Sequence, residues 1–585
     1  MQDTTDFNRW RPTYHIIAAH GWMNDPCAPG YNSSTGCYHV NFQWNPKGHT
    51  WGNMSWGSAV SSNLVDWTIS RTPSMVPTST QDQCGVFTGA LQPHDEGPAT
   101  SSDQRKLTAF YTSAQKLPIN HRLPYTRSSE KLAVATSIDN GKTWQRASDN
   151  IIVAEPPVGY DAISWRDPFI GTWKSVDDLR GVASAQSGLY GIISGGLRGQ
   201  TPTVFLYHIS PSTSDWAFLS TLVDLGLNYQ PSRWTGGDFG ANWEVTNFLT
   251  LSGKDGRKRD ILITSVEGMK EDRDGGELSK DHRQMWMCGT LERRGDRIQM
   301  QHQFGGSLDY GCFYAVNGFW DPLTRQFVAF GWIFEEDLPA DLVARQGWSG
   351  CLSIPRVANL KTWKGVVGTI HSELVDLTCF ASVQETDGTY TMQTVSLTPD
   401  PRLQNRRVRH LSASQPFEDN ISACASPHKQ IEFALSFQVG DSDQNVGFDI
   451  LHSSDHSQYT RVYLHPPSES LRIDRSRSTS IANINVSPKT APHTLFSFRD
   501  GEKTRREDLD FHVFFDVSVL EVFVNDRVAI TTRVYPEEGS VYGIRIYIND
   551  EGRSSSKDLN GAKSAVASLR SCDIWELQGG MHYKE

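Results

Sequence analysis

A short polar turn that closes on a tryptophan recurs through the first two thirds of this 585-residue chain. It reads SNLVDWT at Trp67, DNGKTWQ at Trp144, STSDWAF at Trp216 and NLKTWKG at Trp363, spaced by 77, 72 and 147 residues. The last spacing is a doubled period, and a degenerate copy, LERRGDRIQ (Leu291–Gln299), stands without its Trp where the missing turn is due. A period of this length means one supersecondary unit per repeat, each too small to bury its apolar face alone. The segments between turns read as short strands: CYHVNFQW, KLTAFYTS, KLAVATS, TVFLYHI, DILITSV and QFVAFGWI. They alternate or run apolar between Gly, Pro, Asn and Asp, and few stretches carry a 3.6-residue period. Radial repetition of four-stranded sheets makes a β-propeller, so residues 1–375 are expected to form a five-bladed β-propeller. An irregular array of sandwiches with coincident Trp turns is the alternative.

The remaining chain changes character. TPDPRLQNRRVRHLSASQP (Thr398–Pro416) is polar and punctuated by Pro, and predicts a helix-containing linker over 376–425. Evenly spaced alternating runs follow, from QIEFALSFQV to DFHVFFDVSVLEVFVND and YGIRIYI, with a hairpin turn at VNDRVAI. Residues 426–585 therefore read as a β-sandwich, and the whole chain as all-β. That second unit is open to three roles: a spacer, the interface of a homodimer, or a wall of a neighbouring subunit's cleft.

Charge narrows the classes of partner. A net charge of −11 disfavours nucleic acid, which asks for a basic face; the Arg-rich run Arg402–His410 is short. No apolar run nears the roughly 20 residues that span a bilayer. The N-terminus MQDTTDFNRWRP has neither the basic nor the apolar block of a secretory signal, so an intracellular protein is expected, or one whose signal was removed. Nine scattered Cys without a C-x-x-C pair read as buried thiols, whereas N-x-S tripeptides at Asn32, Asn53, Asn420 and Asn485 pull toward secretion. No spaced ligand set calls for a metal, and no cofactor is expected.

Three acids fall at one phase of the repeat. Asp25 precedes its turn by 42 residues, Asp167 by 49, and Glu244 by 45 the point where the missing turn is due. In a propeller that early phase is the innermost strand, so three carboxyl groups from three blades would converge on one funnel. Clustered like charges raise one another's pKa and cost stability, so a structural role explains them poorly. Glycoside chemistry does need them: one carboxylate ionised and one carboxyl kept protonated, flanking the scissile bond.

The motifs WMNDPCA, NFQWNP, WGNMSWGSA, VFTGA, WRDPF, NWEV and QGWSGCLSIPR, in that order from Trp10 to about Arg356, resemble the set of glycoside hydrolase family 32. That family includes invertases, inulinases and fructosyltransferases, and DPCA with LPINHRLPYTR is most similar to its fungal branch of sucrose fructosyltransferases. The resemblance implies Asp25 as nucleophile, Glu244 as acid and then base, and Asp167 as a binder of fructose hydroxyls beside Arg166. It implies that Asn24, Gln43, Trp44, Trp51, Phe87 and Thr88 shape the fructose pocket. By looser similarity Glu267 and His282 are substrate contacts, with Tyr314 and Trp348 at the funnel rim. Bland readings stay open: Trp44 and Trp51 as packing residues, Glu267 as a surface charge, His282 as a structural imidazole.

Three departures bear on specificity. Val245 follows Glu244 where most of the family has Cys, Thr88 replaces a Ser, and Cys27 replaces an Asn. The implied activity is a retaining β-fructofuranosidase on sucrose and short fructooligosaccharides, with transfructosylation. A chiefly hydrolytic invertase or exo-inulinase is the alternative. An inverting five-bladed arabinosidase or xylosidase, and a sugar-binding propeller without catalysis, fit the three acids and the Asn-Asp and Arg-Asp-Pro runs less well.

Overall fold

The computed structural model describes residues 4–584 apart from 79, 81, 93–105, 183–187, 211–214, 254–255, 271–281, 336, 412–420, 423–428, 441–442, 538–540 and 550–566. Five mainly antiparallel sheets follow one another through the first 400 residues, opening with the strands Gly21–Asn32, Gly85–Leu91, Ala162–Thr172, Asn242–Ser252 and Phe313–Asp321. In the first four sheets each opening strand pairs with the next strand in sequence, and that one with the next; in the fifth, Gln326–Ile333 skips Trp348–Ser349, which pairs parallel with the first opening strand instead. The opening strands touch their neighbours in cyclic order, the last closing on the first. They are buried on both faces, whereas an outer strand such as Glu130–Ser137 alternates buried and half-buried positions.

The tryptophan repeat has a packing cause. Trp67 and Trp216 each open the outermost strand of their four-strand run, and Trp144 precedes the outer strand Ile151–Val153. Each indole packs onto the preceding sheet of the ring: Trp67 on Phe330 at 5.8 Å, Trp144 on Trp56 at 5.7 Å, Trp216 on Phe110 at 5.4 Å between ring centroids. The degenerate copy forms the turn between the strands His282–Arg294 and Arg297–Asp309, as its position predicts. Trp363 breaks the pattern. It lies inside the strand Arg356–Gly368 and packs on Phe380 and Phe496.

That exception moves the boundary expected at residue 375. Tyr390–Pro399 pairs with Arg356–Gly368, and Ala381–Gln384 pairs outside it, so much of the expected linker is strand of the fifth sheet. What connects the halves is the 3-10 helix Pro401–Arg406, after which Arg407–His410 already pairs with Ser568–Leu577 of the second half.

The second half packs two six-stranded sheets face to face. Phe433, Phe448 and Phe511 meet edge to face across the gap, with centroids 5.1 Å apart in each pair. DFHVFFDVSVLEVFVND, which reads as one long run, is a hairpin of Leu509–Asp516 and Val519–Val524 that turns at Val517, φ 59°. Two segments reach back to the first half: the hairpin Ser497–Arg506 adds to the fifth sheet, and Met581–Lys584 pairs parallel to Trp67–Ser70. No helix among the described residues is long and apolar enough to cross a membrane.

Candidate active site

All five opening strands carry a register shift at the same level. The ladder breaks between Met23 and Pro26, Val86 and Gly89, Arg166 and Pro168, Glu244 and Asn247, and Tyr314 and Asn317. A β-bulge frees residues from pairing and re-aims their side chains. The freed or flanking residues here are Asn24 and Asp25, Phe87 and Thr88, Arg166 and Asp167, Glu244, and Tyr314. Asp167 adopts φ 61° and Val245 φ 43°. Asp tolerates this left-handed region, but a β-branched residue does so only under strain, of order 1–3 kcal/mol.

Of these bulge residues, all but Thr88 and Val245 line one cavity of about 310 Å³ with Trp22, Gln43, Trp51, Ile119, Glu267, His282 and Trp332. Asp25 Oδ2 accepts from Thr88 Oγ1 at 2.5 Å and from Gln43 Nε2 at 3.2 Å, and Oδ1 accepts from Asn24 Nδ2 at 3.2 Å. Burial pushes the Asp25 carboxyl up to about 7, against the Thr88 hydrogen bond and with help from the charge of Glu244. Asp167 is also held well above the usual carboxylate range by burial, which outweighs the pull of Arg166. Its own backbone N–H donates to Thr112 Oγ1 at 2.7 Å.

Arg166 is the junction. Its Nε and Nη2 donate to Glu244 Oε1 at 2.9 and 2.6 Å, its Nη1 to Glu130 Oε1 at 2.8 Å, and its Nη2 also to Glu267 Oε2 at 3.3 Å. Tyr314 donates its hydroxyl to Glu244 Oε2 at 2.9 Å. Glu267 is 9% exposed, so it is no surface charge. Burial alone would raise its pKa, but His121 at 3.5 Å, His282 at 3.6 Å and Arg166 bring it well below the usual carboxylate range. His282 also meets the Tyr314 ring edge to face at 5.1 Å.

Of the residues expected from the sequence, the structure brings most to the cavity. Phe87 is buried against Trp51, which is half exposed at the mouth. Thr88 stands behind the wall and acts through Asp25. Trp44 and Trp348 do not reach the cavity. Both are fully buried, their indole N–H groups donating to the carbonyls of His20 and Phe7, so packing claims their rings. Trp22 and Trp332 supply the aromatic wall instead, 5.5 Å apart at 63°. Trp332 fits only because Gly350 lacks a side chain: a Cβ there would lie 2.7 Å from Trp332 Nε1 and 2.3 Å from the Met23 carbonyl.

Asn24 Oδ1, Trp22 Nε1 and Trp332 Nε1 are buried in this wall without a hydrogen-bond partner. Buried polar atoms in this state are ready for the hydroxyls of a ligand. Among the described residues no group of His, Cys, Asp and Glu is placed to hold a metal ion, and the eight described cysteines are free thiols. Sequence reading missed Trp22, although it opens the WMNDPCA motif, and it missed Trp332, His121, Ile119 and Glu130. Of the others, Ile119 and His121 lie in LPINHRLPYTR, and Trp332 in the strand QFVAFGWI.

Comparison with known proteins adds descent to geometry. Residues 15–368 match the family model described as the glycosyl hydrolases family 32 N-terminal domain, and residues 401–576 the family 32 C-terminal model. The chain is 28% identical over 368 residues to the rice (Oryza sativa subsp. indica) "Beta-fructofuranosidase, insoluble isoenzyme 2", covering 60% of this chain and about half (53%) of that one. It is 25% identical to maize (Zea mays) "Beta-fructofuranosidase 1" over 97% of this chain and 79% of the maize protein. In fold it is similar to the Aspergillus kawachii β-fructofuranosidase complexed with glycerol, with TM-score 0.85, 23% identity and coverage of 99% and 96%. It is equally similar to the fructosyltransferase from A. japonicus, with TM-score 0.84, 24% identity and coverage of 99% and 97%.

Proposed function

Because this chain belongs to glycosyl hydrolase family 32, we propose that it is a retaining β-fructofuranosidase acting on sucrose and short fructooligosaccharides, passing fructosyl groups to sugar acceptors as well as to water. The observation that carries the reading is the convergence of Asp25, Asp167 and Glu244 around Arg166 in one cavity. Five sheets in cyclic contact support reading the catalytic half as a five-bladed propeller with this cavity at its axis.

The Asp25 carboxylate attacks the anomeric carbon of the fructosyl unit while the bond to the leaving sugar oxygen breaks. Glu244 gives that oxygen its proton. A covalent fructosyl–Asp25 ester results. Glu244, now a carboxylate, takes a proton from water or from an acceptor hydroxyl, whose oxygen attacks the same carbon and releases Asp25. Asp167, Asn24 and Gln43 hold fructose hydroxyls, and Trp22 and Trp332 face the departing sugar and its replacement. The cycle needs one proton on the Asp25–Glu244 pair. In the empty site burial holds a proton on Asp25 up to about pH 7.

The deciding experiment incubates the protein with concentrated sucrose and follows free glucose and free fructose. Glucose in excess of fructose is the expected result and marks transfer to sugar. Equal release marks an invertase. Release of neither, from sucrose or from inulin-type and levan-type oligomers, rules out a fructosidase.

A further inference from the structure

Arg166 donates hydrogen bonds to two carboxylates in the cavity and to a third behind it. The third is Glu130, at the start of a strand of the second sheet, fully buried and outside the cavity lining. Its two oxygens are divided: Oε1 accepts from Arg166 Nη1 at 2.8 Å, and Oε2 accepts from the backbone N–H of Trp165 at 2.8 Å. One carboxylate thus grips both the guanidinium and the backbone next to it. Buried carboxylates cost several kcal/mol in desolvation, and the second, backbone contact fixes the direction in which this one faces. Nothing in the proposed chemistry uses Glu130 directly.

We propose that Glu130 is a positioning residue for the acid–base step: it holds the Arg166 fork toward Glu244 and offsets its charge, so that Glu244 can carry a proton. The proposal rests on the reading of Glu244 as acid and base. Arg166 places two N–H groups on one oxygen of Glu244, a charge-assisted contact. A counter-charge on the far side of the guanidinium weakens this hold without moving it. The other charged groups around the junction are shared by both states: Asp167 and Asp25 from neighbouring strands, Glu267 with its imidazoles His121 and His282, and the Tyr314 hydroxyl on Glu244.

The test compares wild type, Glu130→Gln and Glu130→Asp on two donors, sucrose and p-nitrophenyl β-fructofuranoside, over a full pH range. An aryl oxide leaves without needing a proton, so it reports on Asp25 alone. For Glu130→Gln the expected result is a loss of kcat/KM on sucrose of about tenfold or more, a much smaller loss on the aryl donor, and a pH profile moved to lower pH. Glu130→Asp keeps the charge but shortens the reach. It should leave the profile in place and still lose more on sucrose than on the aryl donor. Equal losses on both donors, with an unmoved profile for Glu130→Gln, overturn the proposal and leave Glu130 a purely structural residue. If Glu130→Gln does not fold, the donor comparison in Glu130→Asp decides by itself. Should the wild type cleave neither donor, it is the functional reading that fails, whatever the variants do.

Discussion

Asp25 is buried and crowded, an unusual place for the carboxyl proposed as the nucleophile. A carboxyl whose pKa rises from the ordinary 3.8 to about 7 on folding binds its proton more tightly in the folded state. The contribution of this group to stability is therefore greatest at low pH and is lost as pH climbs from 3.8 to about 7, by about 4 kcal/mol in all. Replacing the group removes that loss. Asp25→Asn is expected to lower kcat by about 10³-fold or more. It is also expected to raise the melting temperature at pH 8 while leaving it little changed at pH 4, as thermal unfolding at the two pH values would show. The acids were legible in the sequence because chemistry restricts them to a few residue types at one phase of the repeat. Glu130 was not, because a lone Glu at a strand start looks like any solvated charge until the fold buries it.

The element that makes the site is the bulged inner strand. A bulge leaves backbone groups without ladder partners, and in the closed ring no water can be assumed to reach them. Two inner-strand asparagines meet this need. Asn247 Nδ2 donates to the carbonyls of Val245 and Val316 while its Oδ1 accepts from the Gly318 N–H, tying the fourth inner strand to the fifth. Asn317 Nδ2 donates to the carbonyls of Pro26 and Gly89, tying the fifth to the first and second. Asn247→Ala would strand three buried backbone groups beside Glu244. A stability loss of about 3 kcal/mol is expected, read as a lower denaturation midpoint, together with a fall in kcat greater than the rise in KM. Period and alternation revealed the strands, but the bulges carried no local signal, since Gly and Pro mark only some of them.

At the scale of the whole molecule, the two halves are joined by buried charge. Arg356 pairs with Asp309 of its own half at 2.9 Å and with Glu521 of the sandwich, to which its Nε donates at 3.0 Å. His15 bridges Asp516 at 2.8 Å and Glu521 at 2.9 Å, and Arg533 of the sandwich pairs with Glu335 at 2.7 Å. Burial alone would lower the pKa of His15, but its two carboxylate partners raise it above the usual 6.5. An imidazole raised in this way contributes stability that is complete below pH 6.5 and fades as pH passes its folded value. His15→Gln is therefore expected to cost more stability at pH 6 than at pH 9, measured by unfolding at each pH. Breaking the network at Glu521→Gln should cost about 3–5 kcal/mol, because it leaves the buried Arg356 poorly compensated. The same loss should appear as unfolding of both halves together in a single calorimetric transition.

The sequence by itself determined what is local or periodic. It set the strands, the repeat whose indoles wedge the first three sheets onto the ones before them, and the three acids at one phase of that repeat. Trp44 and Trp348 against Trp22 and Trp332 show where that reach ended: all four are indoles in plausible strands, and only the closed ring decides which face the cavity and which fill the core. The same holds for the boundary near residue 400, where strands from beyond the last Trp turn complete the fifth sheet, and for Glu130 behind Arg166. Contacts between distant segments decide these points, and no spacing along the chain encodes them.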